Sequence, residues 1–328
     1  TARGAAQAAR DAIAKGADII IGPLLASSVE AVAPVARQAD VKVVAFSNRP
    51  QVAGDGVYII GFALQQQVDR LLSHARANGL SRFAILAPES DYGQAVTDAF
   101  RWAVGAQGGQ ITRIGLYDPT GTDFSPQIKN ISDYDARRLA LTSRVKDLQA
   151  RDDEVSRLAL KQLVKRDTLG DVDFEAILLP VQDELTLRTI ASQLAQYDVD
   201  QPAVRYLGLQ LWDSFGNLSS EPPLIGGRYV APPAEGRSRF AKRYQKVFRQ
   251  PPHPLASLAY DAMALAVIQA GTEGTPDYSD RALTSSVGFF GVDGIFRLTR
   301  SGITERGMSV VEIGRGGLTT VDAAPQRF

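Results

Sequence analysis

The chain has 328 residues, and its 36 basic and 36 acidic side chains cancel to a formal net charge of zero. This balance removes the electrostatic argument for binding nucleic acid or an anionic membrane surface. The sequence has no cysteine, which excludes disulfides, thiolate metal sites and cysteine nucleophiles. Hydrophobic residues make up 45% of the chain, enough for the ordinary cores of two domains.

The first elements predicted along the chain are a helix, a strand and a second helix. Residues 1–16 have alanines at helical spacing, and Ile19–Ile21 predicts a strand buried on both faces, as in a parallel sheet covered by helices. Gly22-Pro23 ends this strand, and Ser27 and Ser28 are expected to cap the next helix. The free N–H groups of such a helix start suit a small anion or carboxylate. The alternative is a plain turn with ordinary caps.

Strands and helices continue to alternate in the next part of the chain. The predicted strands are residues 41–46, 57–60, 83–87 and 111–117, and the predicted helices include residues 68–75 and 96–103. This spacing is typical of βαβ units and predicts a mostly parallel sheet.

Residues 129–171 interrupt this alternation, because they are highly charged and contain no strand-like run. Leucines and valines at helical spacing predict one or two amphipathic helices outside the main sheet. The acidic run 152–154 is interpreted as a helix cap rather than a metal site. The segment is either a solvated helical hairpin or an appendage that binds a partner.

The second half repeats the pattern of the first. Residues 174–181 again place an acidic residue, a buried strand and a proline in succession, and a helix follows. Further strands are predicted at residues 206–211, 226–230, 295–298 and 310–313. Two α/β blocks with the same strand-proline-helix succession predict two similar lobes with a cleft between them.

Few side chains in this sequence suit catalysis. His74 lies within a predicted helix and His253 in a proline-rich stretch, so both are expected to be structural or solvent-facing. The sequence has no nucleophile elbow, no Walker loop and no dinucleotide-binding glycine motif after a strand. The stretch from Asp118 to Asp123 lacks the ligand spacing of a calcium loop. We therefore expect a binding or scaffolding protein without catalytic residues, cofactor or metal.

Six short stretches occur in an order that is typical of one family. They are ADIIIGP with the following serine pair (17–28), VVAFS (43–47), DYGQ (91–94), TDFS (122–125), AYDA (259–262) and GVDGIFR (291–297). Together they resemble the type I periplasmic-binding-protein fold of the leucine/isoleucine/valine-binding group, nearly from end to end.

The resemblance implies an α/β protein with two doubly wound, Rossmann-like lobes around a central cleft. Lobe 1 is expected to comprise residues 1–61 and 232–290, and lobe 2 residues 62–231 and 291–328, with the helical insert at about 129–171. Members of the family begin with a strand, a helix and a second strand before the helix of residues 1–16. We expect these elements to be missing from this sequence.

The resemblance also implies a ligand site in the cleft. The residues expected to line it are Ser27, Ser28, Ser47, Asn48, Tyr92 and Gln210. Amino-acid binders of the family place an acidic residue near the position of Gln210, and a glutamine cannot neutralise a buried ammonium. A free α-amino acid is therefore disfavoured, whereas Arg49 and the helix start at Ser27 suit a small polar or anionic ligand.

The charged residues 133–137 and the tail 302–328 resemble the penicillin-binding-protein activator (LpoA-type) branch of this fold. That branch implies a periplasmic lipoprotein, anchored to the outer membrane through the missing N-terminal segment, that activates a peptidoglycan synthase. The alternative is the periplasmic solute-binding component of an ABC importer for amino acids or related small polar ligands, with an ABC permease as its partner. Neither reading involves nucleic acid.

Overall fold

The computed structural model describes residues 1–151, 153–271 and 275–328. They form two compact α/β units. Unit 1 comprises residues 1–67, 231–309 and 322–328, and unit 2 comprises residues 68–230 and 310–321. These units differ from the predicted lobes in the tail, because residues 291–309 and 322–328 lie in unit 1. The predicted lobe boundaries and the cleft stay predictions.

Unit 1 contains two three-stranded sheets and the helices beside them. Its elements are α1 (Ala2–Ala14), β1 (Ile19–Ile21), α2 (Ala26–Gln38), β2 (Lys42–Ala45), β3 (Val57–Ile59), α9 (Ala234–Phe248), α10 (Ala256–Ala270), α11 (Asp280–Leu283), β9 (Phe289–Gly291), β10 (Gly294–Leu298) and β11 (Thr304–Arg306). The first sheet is parallel with order β1-β2-β3. The second sheet is antiparallel with order β11-β10-β9.

Side-chain alternation along β2 builds the core of unit 1 on both faces of the parallel sheet. Val43 packs with Val29 and Val32 of α2 on one face. Val44 packs with Leu258 of α10 on the other. The core of unit 1 therefore lies between α2, the sheet and α10.

Two local predictions for unit 1 are wrong. β1 is half-buried rather than buried on both faces. It is the edge strand of the described sheet, so that β2 is the one described strand beside it. The N-cap residue of α2 is Leu25, whose side chain makes no capping hydrogen bond. The helix therefore begins earlier than predicted, and Ser27 and Ser28 lie inside its first turn.

Unit 2 is built on a seven-stranded sheet of order β13-β12-β8-β7-β6-β4-β5. Its elements are α3 (Leu64–Ala77), β4 (Arg82–Pro88), α4 (Asp91–Ala106), β5 (Gln110–Tyr117), α5 (Ser125–Ile131), α6 (Tyr134–Gln149), α7 (Glu154–Leu163), β6 (Ala176–Leu178), α8 (Glu184–Gln196), β7 (Arg205–Gly208), β8 (Arg228–Ala231), β12 (Ser309–Gly314) and β13 (Gly317–Asp322). The neighbours among β4 to β8 pair in parallel, as the βαβ pattern predicts.

The two histidines are placed as expected. His74 is buried on α3, with its Nε2 3.1 Å from Nη1 of Arg228. His253 is exposed, and its Nδ1 accepts a hydrogen bond from the amide of Leu255. Neither lies beside a nucleophile among these contacts.

The predicted insert consists of the end of α5 followed by α6 and α7, which confirms its helical character. Most of α6 is exposed, and Tyr134 and Leu148 are its buried residues. Arg137 joins the insert to the rest of the unit by donating to the carbonyl oxygen of Asp198 at 3.5 Å. Asp153 caps α7, as the acidic run predicts, while residue 152 lies outside the described residues. Within the described ranges, no helix is both long and apolar enough to cross a membrane.

Candidate functional site

The loops that follow the strands of the parallel sheet in unit 1 are joined by backbone hydrogen bonds. The amide of Phe46 donates to the carbonyl oxygen of Pro23 at 3.0 Å, and the amide of Gly61 donates to that of Ser47 at 3.2 Å. A Cβ atom at Gly61 would lie 2.5 Å from the Ser47 oxygen, so the close approach requires glycine. Parallel strands present their carboxyl ends at one edge, and ligands of open α/β sheets bind there.

The start of α2 contributes one side of this edge. Ser27 is exposed, whereas Ser28 is buried at 7% exposure. The amide of Ser28 already donates to the carbonyl oxygen of Leu25 at 2.9 Å, so this N–H group is not available to a ligand. The first turn contains no acidic residue. The helix start thus keeps a positive dipole end beside the Ser27 hydroxyl.

The loop after β2 carries the charged side chain of this edge. Ser47 is buried, and its Oγ accepts a hydrogen bond from the amide of Arg49 at 3.1 Å. Asn48 and Arg49 are exposed. The guanidinium of Arg49 makes no ion pair with any described residue. Unit 1 therefore places three serines, an asparagine and a cation without an ion-pair partner in the first turn of α2 and in the loop after β2.

Unit 2 presents Tyr92 at the start of α4. The N-cap residue of this helix is Ser90, whose Oγ accepts a hydrogen bond from the amide of Gly93 at 3.2 Å. Burial raises the pKa of the Tyr92 phenol to about 12. The phenol is therefore neutral near pH 7 and can donate a hydrogen bond.

Tyr117 and Asp183 are site candidates that the sequence analysis missed. Tyr117 is the last residue of β5 and is buried, and Asp183 caps α8 after β6. Burial raises the pKa of the Tyr117 phenol, and the nearby Asp183 carboxylate and Tyr92 phenol act in the same direction. The ring of Phe124 meets that of Tyr117 edge-on at 5.1 Å. The sequence could have indicated both residues, because each follows or ends a predicted strand. It does not show that β5 and β6 both lie beside β4, which is what brings the two residues near each other.

Gln210 lies beyond the end of β7 rather than within a strand as predicted. β7 ends at Gly208, and Gln210 begins a short 3₁₀ turn that runs to Ser214. The strand stops here because the indole of Trp212 folds back over Gly208, where a Cβ atom would lie 2.5 Å from Cε3. The adjacent carboxylate is that of Asp213, whose Oδ1 lies 3.4 Å from the hydroxyl of Tyr229.

The six predicted site residues thus fall into two sets, one in each unit. Ser27, Ser28, Ser47 and Asn48 stand at the strand ends of unit 1, and Tyr92 and Gln210 stand at the strand ends of unit 2. Among the described residues, no group of three or more histidine, aspartate or glutamate side chains is arranged to hold a metal ion. The chemistry of both sets is that of hydrogen bonding and charge pairing.

The family model of the periplasmic binding proteins matches residues 1–317 of the chain. The chain belongs to this family. Membership implies a periplasmic location and a binding role without chemical turnover, which confirms the prediction that the protein is not an enzyme. A protein of Rickettsia prowazekii named as uncharacterized protein RP748 is 24% identical over 120 residues, which are 37% of this chain and 32% of that protein.

Solved structures of periplasmic binding proteins have the same fold. The leucine binding protein LivK from Thermotoga maritima has a TM-score of 0.60 and 18% identity, covering 99% of this chain and 84% of that one. A solute binding protein of an ABC transporter from Rhodopseudomonas palustris, in complex with 3,4-dihydroxy benzoic acid, has a TM-score of 0.62 and 18% identity, covering 100% and 83%. A periplasmic ligand-binding protein of a branched-chain amino acid ABC transporter from Burkholderia xenovorans has a TM-score of 0.66 and 15% identity, covering 99% and 80%. The type I periplasmic-binding-protein fold is therefore confirmed.

Proposed function

We propose that this periplasmic binding protein is the solute-binding component of an ABC importer, with an ABC permease as its partner. The solved structures that share its fold are named as components of ABC transporters, which favours this alternative over the activator reading. The six predicted residues are proposed to contact the ligand.

The observation that carries the ligand class is the guanidinium of Arg49, which makes no ion pair with a described residue and belongs to the loop of the buried Ser47. An ionised ligand group bound away from water needs an opposite charge or several hydrogen bonds. Arg49 and the start of α2 supply these to a carboxylate. Gln210 supplies no negative charge for an ammonium, and the Asp183 carboxylate already caps α8, where it accepts a hydrogen bond from the amide of Thr186 at 2.9 Å. The proposed ligand is therefore a small carboxylate without an α-ammonium group, such as 4-hydroxybenzoate, the ligand in another structure that shares the fold.

Isothermal titration calorimetry with 4-hydroxybenzoate and with leucine tests this proposal. We expect binding of the hydroxybenzoate and no tight binding of leucine, isoleucine or valine. Arg49→Met should weaken carboxylate binding at least tenfold, which corresponds to about 1.4 kcal/mol. Arg3→Met is the matched control, because Arg3 is an exposed arginine of α1. Micromolar or tighter binding of leucine, about −8 kcal/mol or stronger, or equal effects of the two arginine variants, would contradict the proposal.

The second candidate is activation of a peptidoglycan synthase by an envelope lipoprotein. The insert of α6 and α7 supports it, because basic residues outnumber acidic ones there although the whole chain is neutral. Arg138, Arg144, Lys161 and Lys165 make no ion pair with any described residue. Leu139, Val155 and Leu158 are exposed beside them. Such a mixed surface suits a transient, electrostatically steered contact with an acidic protein surface.

A further inference from the structure

Three buried charged side chains meet in unit 1, and none of them is one of the proposed ligand residues. Asp261 on α10 and Asp293 in the turn between β9 and β10 are each 1% exposed, and Arg306 at the end of β11 is 7% exposed. Each leaves one polar atom without a hydrogen-bond partner among the described atoms: Oδ2 of Asp261, Oδ2 of Asp293 and Nη1 of Arg306. Buried polar atoms are rarely left unpaired, because desolvation without a partner is costly.

Asp261 ties α10 to the turn that contains Asp293. Its Oδ1 accepts a hydrogen bond from the amide of Val292 at 2.7 Å. A Cβ atom at Gly291 would lie 2.5 Å from Cγ of Asp261, so glycine is required for the carboxyl group to lie this close to the backbone. One face of the carboxyl group is thereby packed against residues 291–293.

The charges around Asp261 do not compensate it directly. Arg306 directs Nε and Nη2 to the carbonyl oxygen of Ile60 at 3.2 and 2.8 Å. Arg237 of α9 approaches Asp293, with Nε 3.5 Å from Oδ1. Asp261 makes no ion pair with a described residue.

The other charged groups near Asp261 come from α9. Arg239 and Arg243 line the same cavity, of about 260 Å³, as Asp261. The facing groups are therefore one carboxylate, that of Asp293, and four guanidinium groups, none of them within ion-pair distance of Asp261.

We propose that Asp261 is a proton-dependent latch that holds α10 against residues 291–293 in its neutral form and loosens that contact when it ionises. A neutral carboxyl group keeps the acceptor for Val292 at Oδ1 and removes the repulsion between two buried carboxylates. The contact itself is built from Asp261, Gly291 and Val292 and does not depend on any ligand.

The titration of Asp261 is shifted in the direction that the latch requires. Burial raises its pKa to about 6 and the charge of Asp293 acts in the same sense, while the amide of Val292 and the charge of Arg306 oppose both. In the unfolded chain an aspartate titrates near about 3.9. Between pH values of about 3.9 and about 6, the folded protein therefore holds a proton on Asp261 that the unfolded chain has lost. This proton stabilises the fold at low pH, and the stabilisation is lost as the pH rises to about 6.

Asp261→Asn tests the latch in the full chain, since asparagine mimics the neutral acid. Thermal unfolding of both proteins is followed from pH 5 to pH 8. At pH 7.5 the variant should melt at the same temperature as the wild type or higher, and this advantage should shrink as the pH falls towards 5. A melting temperature that is lower than that of the wild type by the same amount at every pH would overturn the proposal.

Two further measurements keep the test decisive if the asparagine variant does not fold. In the wild type, the ¹³C signal of the Asp261 carboxyl carbon should titrate near pH 6, and the hydrogen-exchange protection factor of the Val292 amide should fall over the same range. In Asp293→Asn, loss of the neighbouring carboxylate should move both midpoints to lower pH. A carboxyl group that titrates below pH 5 in the wild type, or a Val292 protection factor that does not change with pH, would overturn the proposal.

Discussion

Gly93 and Gly105 lie on the same helix, α4, in opposite surroundings, and they form a matched pair for alanine substitution. A Cβ atom at Gly93 would overlap the carbonyl oxygen of Pro88 and lie 2.9 Å from its carbonyl carbon. Both atoms belong to the backbone of β4, so no side-chain rotation can relieve the contact. Around Gly105, no heavy atom other than those of the adjoining residues and the backbone of α4 itself lies within 4 Å of the added Cβ.

The expected free-energy changes have opposite signs. In Gly93→Ala the start of α4 must move away from β4, and overpacking of this kind costs about 3 kcal/mol. In Gly105→Ala the helix gains about 1 kcal/mol, because alanine loses less backbone entropy than glycine. At about 2–4 °C per kcal/mol, Gly93→Ala should lower the melting temperature by about 6–12 °C and Gly105→Ala should raise it by about 2–4 °C.

Thermal unfolding followed by circular dichroism at 222 nm measures both variants under one condition. Tyr92 precedes Gly93 at the helix start, so Gly93→Ala should also weaken ligand binding, whereas Gly105→Ala should leave it unchanged. If Gly93→Ala melts within 1 °C of Gly105→Ala, the close approach of α4 to β4 is not a feature of the folded protein and the reasoning is refuted.

Two further predictions concern unit 2. Deletion of residues 133–166, bridged by a Gly-Ser linker, should lower the melting temperature without unfolding the unit, because it removes the buried Tyr134 and Leu148 but leaves the seven-stranded sheet intact. Loss of capture by a peptidoglycan synthase would support the second candidate function, and full retention by the folded deletion variant would reject the insert as the partner surface. Glu175→Gln should lower the free energy of unfolding by about 1 kcal/mol at pH 7. The Glu175 carboxylate accepts hydrogen bonds from the amides of Ser81 and Arg82 at 2.7 and 3.0 Å. The hydrogen bond from Ser81 is the largest cause of its lowered pKa. Because the pKa of Glu175 is lower in the folded protein, its ionised carboxylate stabilises the fold above about pH 4.3, which is the pKa in the unfolded chain, and this stabilisation is lost as the pH falls through the folded-state pKa. The free energies of urea unfolding of wild type and variant should therefore differ less at pH 4 than at pH 7. An equal difference at both pH values would contradict this account.

The sequence by itself determined the elements and their alternation. The isoleucine run at 19–21, the helical spacing at 68–75 and the strand-proline-helix succession at 174–181 each appear in the structure. These signals are local, because burial on one face of a helix or strand leaves a period of 3.6 or 2 in the chain itself. The fold was also predicted from the sequence, because the six short motifs occur along the chain in the order that is typical of the family.

Only the tertiary structure decided which residues meet. The sequence does not show that Tyr117 lies near Asp183, nor that Asp261 and Arg306 share one buried cluster across 45 positions of chain. The start of α2 was predicted too late, because the helix begins after Leu25, whose side chain makes no capping hydrogen bond and leaves no capping signal in the sequence. Strand order and loop contacts arise between segments distant in sequence, and hydrophobic periodicity carries no record of which strand lies beside which.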